Sequence, residues 1–446
     1  MKPIKNFYLS FTLTARFYIL MGVVVFLFIL SFIFSSFSDL PYFAFGILIS
    51  ILLLDTFILF RKNNINAERI LGPRLSNGDD NPVYIWVQNN YPFAVSVNVL
   101  DELPIQFQIR DFSYKLNLKP LEKQNLDYYI KPVKRGIYAF GDLRIFVSSA
   151  IKLVERRYSF NAEKEVAVYP SYLQMRRYEL MAISNKLTEI GVKKIRKIGN
   201  SSEFEQIKNY VVGDDYRHIN WKATARKGDL MLNNYIDEKS QHIYCIIDKS
   251  RNMQSPFEGL SLLDYAINAT LALSNIALLK EDKAGIISMA EKEGALVLSD
   301  RKPAHITKIL EVLYKEKTRY LELNSEQLYI TIRKKIKQRS LLVFFTNFES
   351  LSAMRRQLPY LKKIARFHLL LVVFFENTEI TNSLNLETKN TQDVYFKTIA
   401  EQFVNEKRQI VKELNQHGIT SILTTPQNLT VNSINAYLRL KSSQKL

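Results

Sequence analysis

Glu203-Phe204-Glu205-Gln206-Ile207-Lys208-Asn209-Tyr210-Val211-Val212-Gly213-Asp214-Asp215-Tyr216-Arg217-His218-Ile219-Asn220-Trp221-Lys222, continuing to Arg226, decides how this 446-residue chain is read. Gly213 and the acid pair Asp214-Asp215 form a turn signal. Asp215 is placed to cap a helix predicted from Tyr216 to about Ala225. On such a helix Arg217 and Trp221 stand at i, i+4, where a guanidinium can stack on an indole. Ile219 falls on another face and can anchor the helix to a core. Lys227-Gly228-Asp229 ends the unit in a turn, and Leu230 to Ile236 reads as a strand. His218, one of five histidines, has no ligand-spaced neighbour.

Upstream, Phe17 to Phe37 holds no charged residue and Pro41 to Phe60 holds only Asp55. Each run has about 20 residues, enough to cross roughly 30 Å of hydrocarbon as a helix, and Ser38-Asp39-Leu40 joins them tightly. A cleaved leader is disfavoured, because the apolar core is too long and a second span follows at once. Lys2, Lys5 and Arg16 flank the first span, and Arg61, Lys62 and Arg69 flank the second, while the connecting loop has no base. The positive-inside rule then places both ends, and everything after residue 62, in the cytoplasm behind a two-pass inner-membrane anchor. Asp55 is expected to pair with Arg16, Arg61 or an interfacial water.

From about residue 63 to 170 the apolar period becomes two, as in Val83-Tyr84-Ile85-Trp86-Val87 and Val95-Ser96-Val97-Asn98-Val99. Turn signals recur at Asn77 to Asn81, Asn89 to Pro92, Arg135-Gly136 and Gly141-Asp142, which suggests a small antiparallel β-sandwich of immunoglobulin-like or related topology. Beyond Ile236, core strands alternate with amphipathic helices. His242 to Asp248, Ala284 to Ala290, Ser340 to Thr346, Phe367 to Phe375 and Thr420 to Leu423 read as strands. Ser261 to Leu279, Pro303 to Lys315, Ser325 to Lys337, Tyr395 to Gln416 and Val431 to Leu440 read as helices. This alternation predicts a mainly parallel sheet with helices on both faces and a ligand edge at the carboxyl ends of its strands. The expected segments are 1–62 anchor, 63–170 β domain, 171–240 connector and 241–446 α/β domain.

The pattern E-F-x-x-I-x-x-Y-x-x-G-D-x-x-R-x-I-x-W-K-x-x-A-R, quoted above, resembles the signature of the membrane-associated family called domain of unknown function 58. The resemblance implies a von Willebrand factor A-like (Rossmann-type) fold for the α/β half and a MoxR-type AAA+ ATPase, or its client protein, as partner. Glu203, Tyr210, Gly213, Asp214, Arg217, Trp221, Lys222 and Arg226 then have two readings. They form a surface read by a partner or an anion, or they form a scaffold in which Asp214 or Asp215 pairs with Arg217 or Arg226 and Trp221 packs inward.

Asp248-Lys249-Ser250-Arg251-Asn252-Met253 resembles the D-x-S-x-S loop with which von Willebrand A domains hold Mg2+, the one cofactor the resemblance implies. A third loop there adds an acid, at the position of Asn347, and a separate threonine is nominated at Thr318. Asn252 in place of a hydroxyl and Asn347 in place of an acid leave one carboxylate among neutral oxygens, a degenerate site for a hard divalent ion. Lys249 and Arg251 add positive charge that would discourage a cation or attract an acidic partner. The alternative is that Asp248 and Asn347 simply cap loops at the sheet edge.

No P-loop, Gly-x-Ser-x-Gly elbow, His-Glu-x-x-His helix or dinucleotide fingerprint occurs, so a non-enzymatic interaction module is expected. The lone Cys245 excludes an internal disulfide. A formal charge of +18 favours anionic partners, namely lipid headgroups, nucleic acid or an acidic protein, and a charge-driven binder of an anionic lipid surface or nucleic acid is the alternative function. The basic clusters Lys193 to Lys197 and Arg333 to Arg339 read as solvated or juxtamembrane faces, and no nucleic-acid-binding fold accompanies them.

Overall fold

The two apolar runs fold as α1 (Ala15–Ile33) and α2 (Leu40–Phe60), preceded by a short strand β1 (Phe11–Leu13). Pro41 sits in the first turn of α2, where its fixed φ suits the helix start and its missing N–H costs nothing. In this computed structural model the described residues are 7–34, 39–61, 64–110, 112–183, 203–211, 214, 216–236, 240–384 and 390–443. They divide into two units, Met1–Tyr169 and Pro170–Leu446.

In the first unit α1 and α2 pack on each other and leave their outer apolar side chains uncovered, as at Phe32 and Phe43. Both are long and apolar enough to cross a membrane. Ten strands follow: β2 (Ile65–Leu71), β3 (Arg74–Ser76), β4 (Asn81–Asn89), β5 (Val95–Asp101), β6 (Ser113–Leu118), β7 (Lys123–Ile130), β8 (Gly136–Phe140), β9 (Leu143–Ser148), β10 (Val154–Phe160) and β11 (Lys164–Tyr169). They form sheets of order β1-β10-β9-β5-β6, β2-β4-β7 and β3-β11-β8. All pairings are antiparallel except β3 with β11. Period-two burial sets the register: Val83, Ile85 and Val87 of β4 face one core with Val97 and Val99 of β5 and Ile145 and Val147 of β9.

The anchor expected at 1–62 does not stand apart from these strands. Phe11 to Leu13 pair with Val154 to Arg156, so the segment before α1 completes the five-stranded sheet. Asp55, fully buried, accepts hydrogen bonds from Ser149 Oγ (2.5 Å), Leu153 N (3.0 Å) and Val154 N (3.1 Å). The carboxylate therefore finds backbone and hydroxyl donors of the β9–β10 connection, not Arg16 or Arg61. One turn on, Leu59 O accepts from Tyr91 Oη (2.7 Å) and Arg156 Nη1 (2.6 Å). Arg69 is no flanking base either: it is buried, paired with Asp101, and donates to Gly141 O (3.0 Å).

The second unit opens with α3 (Tyr172–Ile183), the antiparallel pair β12 (Glu203–Asn209) and β13 (Met231–Ile236), and, between them, α4 (Trp221–Lys227). The rest is β14 (His242–Asp248), the short pair β15 (Pro256–Phe257) and β16 (Leu260–Ser261), α5 (Leu262–Leu279), β17 (Lys283–Met289), β18 (Glu293–Asp300), α6 (His305–Lys315), α7 (Ser325–Lys335), β19 (Leu341–Phe345), α8 (Leu351–Ala365), β20 (Leu369–Phe375), α9 (Thr378–Ser383), α10 (Thr391–Gln416), β21 (Thr420–Thr424) and α11 (Leu429–Ser442). The sheet order is β18-β17-β14-β19-β20-β21, parallel throughout except for the edge strand β18. Tyr244 and Ile246 of β14 face a cluster with Leu328, Met354 and Ile410 from α7, α8 and α10, while α5 packs on β14 and β17. Although α5 is apolar enough to span a membrane, 83% of its apolar window is buried, and Ser261 with Asp264 closes a capping box at its start. It is a core helix.

Candidate functional site

Crossover connections bring the ends of five parallel strands to the carboxyl edge of the sheet, where β14 ends at Asp248 and β19 runs out into Thr346-Asn347. Asp248 is buried, and each of its oxygens has a donor: Ser250 N to Oδ1 (2.8 Å) and Thr346 Oγ1 to Oδ2 (2.7 Å). Burial pushes its carboxyl up, and the hydrogen bonds from Thr346 and Ser250 oppose that. The hydroxyl that reaches this carboxylate is thus Thr346, adjacent to the nominated Asn347, and not Thr318. Asn252 and Asn347 clamp the two loops reciprocally, Nδ2 of each on the carbonyl of the other at 3.4 and 3.3 Å.

A cation already stands in this edge. Lys407, from the middle of α10, donates from Nζ to Asn347 Oδ1 (2.9 Å) and to Phe348 O. Burial pulls its amine down to about 8, against the attraction of Glu349 and Glu406. The donor set does not fit Mg2+. Only one carboxylate is present, both its oxygens are engaged, and Asn347 Oδ1 already holds an ammonium. An ion bound about 2.1 Å from that same oxygen would lie within about 5 Å of Nζ, a repulsion of roughly 7 kcal/mol at an effective dielectric constant near 20. Ser250 Oγ and Asn252 Oδ1, both buried without a hydrogen-bond partner, are left over, two neutral oxygens with no free carboxylate beside them. Among the described residues no three His, Cys, Asp or Glu side chains gather as a metal site.

Of the loop charges expected to act outward, Lys249 is turned inward and Arg251 is paired at the surface. Lys249 is buried against Glu316 (2.5 Å), whose other partner is Ser288 Oγ (2.8 Å), and Arg251 reaches Glu322 (3.2 Å). Beside Asn347 and Lys407 opens a pocket of about 260 Å³. Its walls are mainly apolar, from Pro256, Phe257, Phe375, Ile380, Phe403 and Val404, and it carries Glu349 and Glu379.

The stretch from 203 to 226 folds otherwise than expected. Tyr216–His218 is a 3-10 turn, and the helix begins only at Trp221, capped by Asn220 Oδ1, which accepts from Ala223 N (3.0 Å). Asp215 and Gly213 lie outside the described residues. Asp214 pairs with Lys208 (3.0 Å), not with Arg217 or Arg226, and that ammonium holds its carboxyl below the usual range. Without a continuous helix from 217 to 221, Arg217 lies 6.0 Å over Tyr216 instead of on Trp221. Trp221 does not pack inward: 69% of it is exposed, and Lys222 and Arg226 are exposed beside it. Ile219 bridges to Leu232, which fixes the turn to β13. Glu203 opens β12 opposite Ile236, and Tyr210 N donates to Leu230 O (2.8 Å). The cluster at 193–197 lies outside the described residues, whereas Arg333 of the second cluster stacks 4.0 Å over Phe367.

The family described as protein of unknown function DUF58 matches residues 206–374. An uncharacterised protein of Bacillus subtilis (strain 168), YeaD, is 24% identical over 235 residues, which cover 51% of this chain and 56% of that protein. The chain thus spans little more than half the length of the curated relative it matches. Among solved structures, a conserved hypothetical protein BatB of Bacteroides thetaiotaomicron is similar at 12% identity and a TM-score of 0.30, covering 46% of this chain and 100% of that one. An aerotolerance-related membrane protein of Bacteroides fragilis gives 11%, 0.28, 46% and 99%. The CARDB domain of a Pyrococcus furiosus protein gives 17%, 0.18, 24% and 92%.

Proposed function

We propose that this chain, whose residues 206–374 match the DUF58 family, is a membrane-anchored, non-catalytic interaction module whose von Willebrand A-like unit offers the carboxyl edge of its sheet to a partner protein. The observation that carries this reading is the pocket beside Lys407. It is apolar, carries charge, and sits where open α/β sheets bind their ligands. A metal bridge to an acidic partner is replaced here by an internal ammonium, so recognition at this edge is metal-independent.

The pairing of β1 with β10 supports a two-pass hairpin. Strands on either side of the helical pair share one sheet, so both ends of the pair must lie on one face of any membrane it crosses. Arg16 and Arg61 at those ends favour the cytoplasmic face of the inner membrane. The partner proposed is a MoxR-type AAA+ ATPase or its client, on the strength of the family resemblance.

The test is gentle solubilisation of the tagged full chain from native membranes, with identification of what co-purifies in the presence and absence of ATP. A AAA+ ATPase recovered with wild type and lost with Phe403→Glu, at equal yield of folded protein, supports the reading. Equal recovery with both proteins moves the partner face away from the pocket, and recovery of lipid alone overturns the module.

A further inference from the structure

The helix α4 uses only one side to hold itself in place. Thr224 Oγ1 donates to Asn220 O (2.9 Å) and accepts from Met231 N (3.0 Å), and Ala223 and Thr224 are half-buried over β13. The opposite side is Trp221, Lys222, Ala225 and Arg226, all exposed, with Tyr216 68% exposed on the preceding turn. Asp214, the nearest described acid on the loop before it, is bonded to Lys208, and Lys227 is drawn off to Asn209 Oδ1 (3.1 Å). Among the described residues this outer face therefore carries two rings and two cations without a carboxylate, the exposed Asp229 following only in the turn after the helix. An indole left in water on a seven-residue helix whose own packing does not use it points to a surface that would cover it.

We propose that this outer face docks on an anionic bilayer surface. Trp221 and Tyr216 would lie at the headgroup level, with Lys222 and Arg226 against lipid phosphates. Trp and Tyr favour the membrane interface because one part of the ring is apolar and the other polar, and Lys and Arg are drawn to the negative leaflet. This rests on the membrane anchor of the proposed function: two helices long and apolar enough to span a bilayer would hold the chain there, so a face too weak to bind from solution acts at a high effective concentration. An acidic protein offers the cations as much but gives the two rings no headgroup layer to occupy, which favours lipid as the occupant.

The chain has two tryptophans, so Trp86→Phe leaves Trp221 as the sole indole. The full chain carrying this change is placed in nanodiscs of phosphatidylcholine, with or without phosphatidylglycerol, made with ordinary or brominated acyl chains. Brominated lipid should lower Trp221 emission about twofold or more in the anionic discs, with less effect in neutral discs and at high salt. Lys222→Glu with Arg226→Glu should abolish it. Emission that is quenched equally by aqueous acrylamide in both discs and is unmoved by bromine overturns the proposal. So does a response to soluble polyglutamate without one to anionic lipid, which would assign the face to an acidic protein. Should Trp86→Phe fail to fold, the difference between wild type and Trp221→Phe reports the same indole.

Discussion

Lys407 shows how one side chain can occupy an edge whose loops resemble those that hold a metal. Its amine is held near 8 by burial, against 10.5 in the unfolded chain. Between those values the unfolded state binds the extra proton, so stability of the α/β unit rises with pH across the window, by up to about 3 kcal/mol. Lys407→Met should remove this rise, and chemical unfolding midpoints of both proteins at the two ends of the window would show it; parallel slopes refute it. Arg69 is the complementary case. Removing it in Arg69→Leu leaves Asp101 buried with only Tyr128 as a donor, at a cost of about 3–5 kcal/mol to the β unit, measurable as a lowered melting temperature. Gly294→Ala would set a Cβ 2.3 Å from Ser288 Oγ and 2.6 Å from Lys249 Nζ, both part of the buried Glu316 network. Such overpacking costs about 1–3 kcal/mol, and Gly294→Ala should unfold at lower denaturant while Gly72→Ala, with a nearest atom at 3.4 Å, does not. The position of Asp248, Asn252 and Asn347 at the sheet edge was legible because Asp248 ends, and the two asparagines closely follow, strands of unmistakable apolar character. Lys407 was not: it lies 60 residues from Asn347 in a Glu406-Lys407-Arg408 run that reads as a solvated helix face, and only the strand order brings it to the edge.

Elements were legible where periodicity was strong. The parallel strands and α5 to α7 fall where the apolar pattern predicted, because both faces of such a sheet are buried. Strand β18, helix α8 and the short β15, β16 and α9 of the α/β unit escaped the reading. Strand β18 is an edge with only Val297 fully buried, and α8 contains Pro359, a residue that argues against a helix interior. The late start of α4 has a local cause: Asp215 and Asn220 are both good capping residues, and Asn220 wins through Ala223 N while its amide donates to Asn233 Oδ1 (2.7 Å). At the anchor, an isolated acid in an apolar run signalled a special residue, but its partners lie 94 to 99 positions away. Asp55→Leu leaves three buried donors without an acceptor, about 1–3 kcal/mol for each that water does not reach. Hydrogen exchange at the Leu153 and Val154 amides should accelerate in Asp55→Leu and stay slow in Asp55→Asn, whose Oδ1 still accepts. Unchanged protection in Asp55→Leu would mean that the helix end is not held by this carboxylate.

At the scale of the whole molecule, the chain is a helical pair built into a β unit, followed by an α/β unit whose ligand edge carries its own cation. A full chain of this kind should not be stabilised by magnesium. Melting temperatures in Mg2+ and in chelator should coincide, whereas a site that bound the ion in the folded state alone would raise the midpoint with concentration. The closure of the five-stranded sheet by its first strand also has a consequence in time. Thr12 and the residue it bonds, Glu155, are 143 positions apart, with both apolar helices between them. At about 5–20 residues per second, the ribosome delivers the second strand on the order of 10 s after the first. Phe11 to Leu13 must therefore wait as an unpaired edge while the helices leave the exit tunnel. The five-stranded sheet is completed only after synthesis has passed Phe160, the last residue of the strand that receives Phe11 to Leu13.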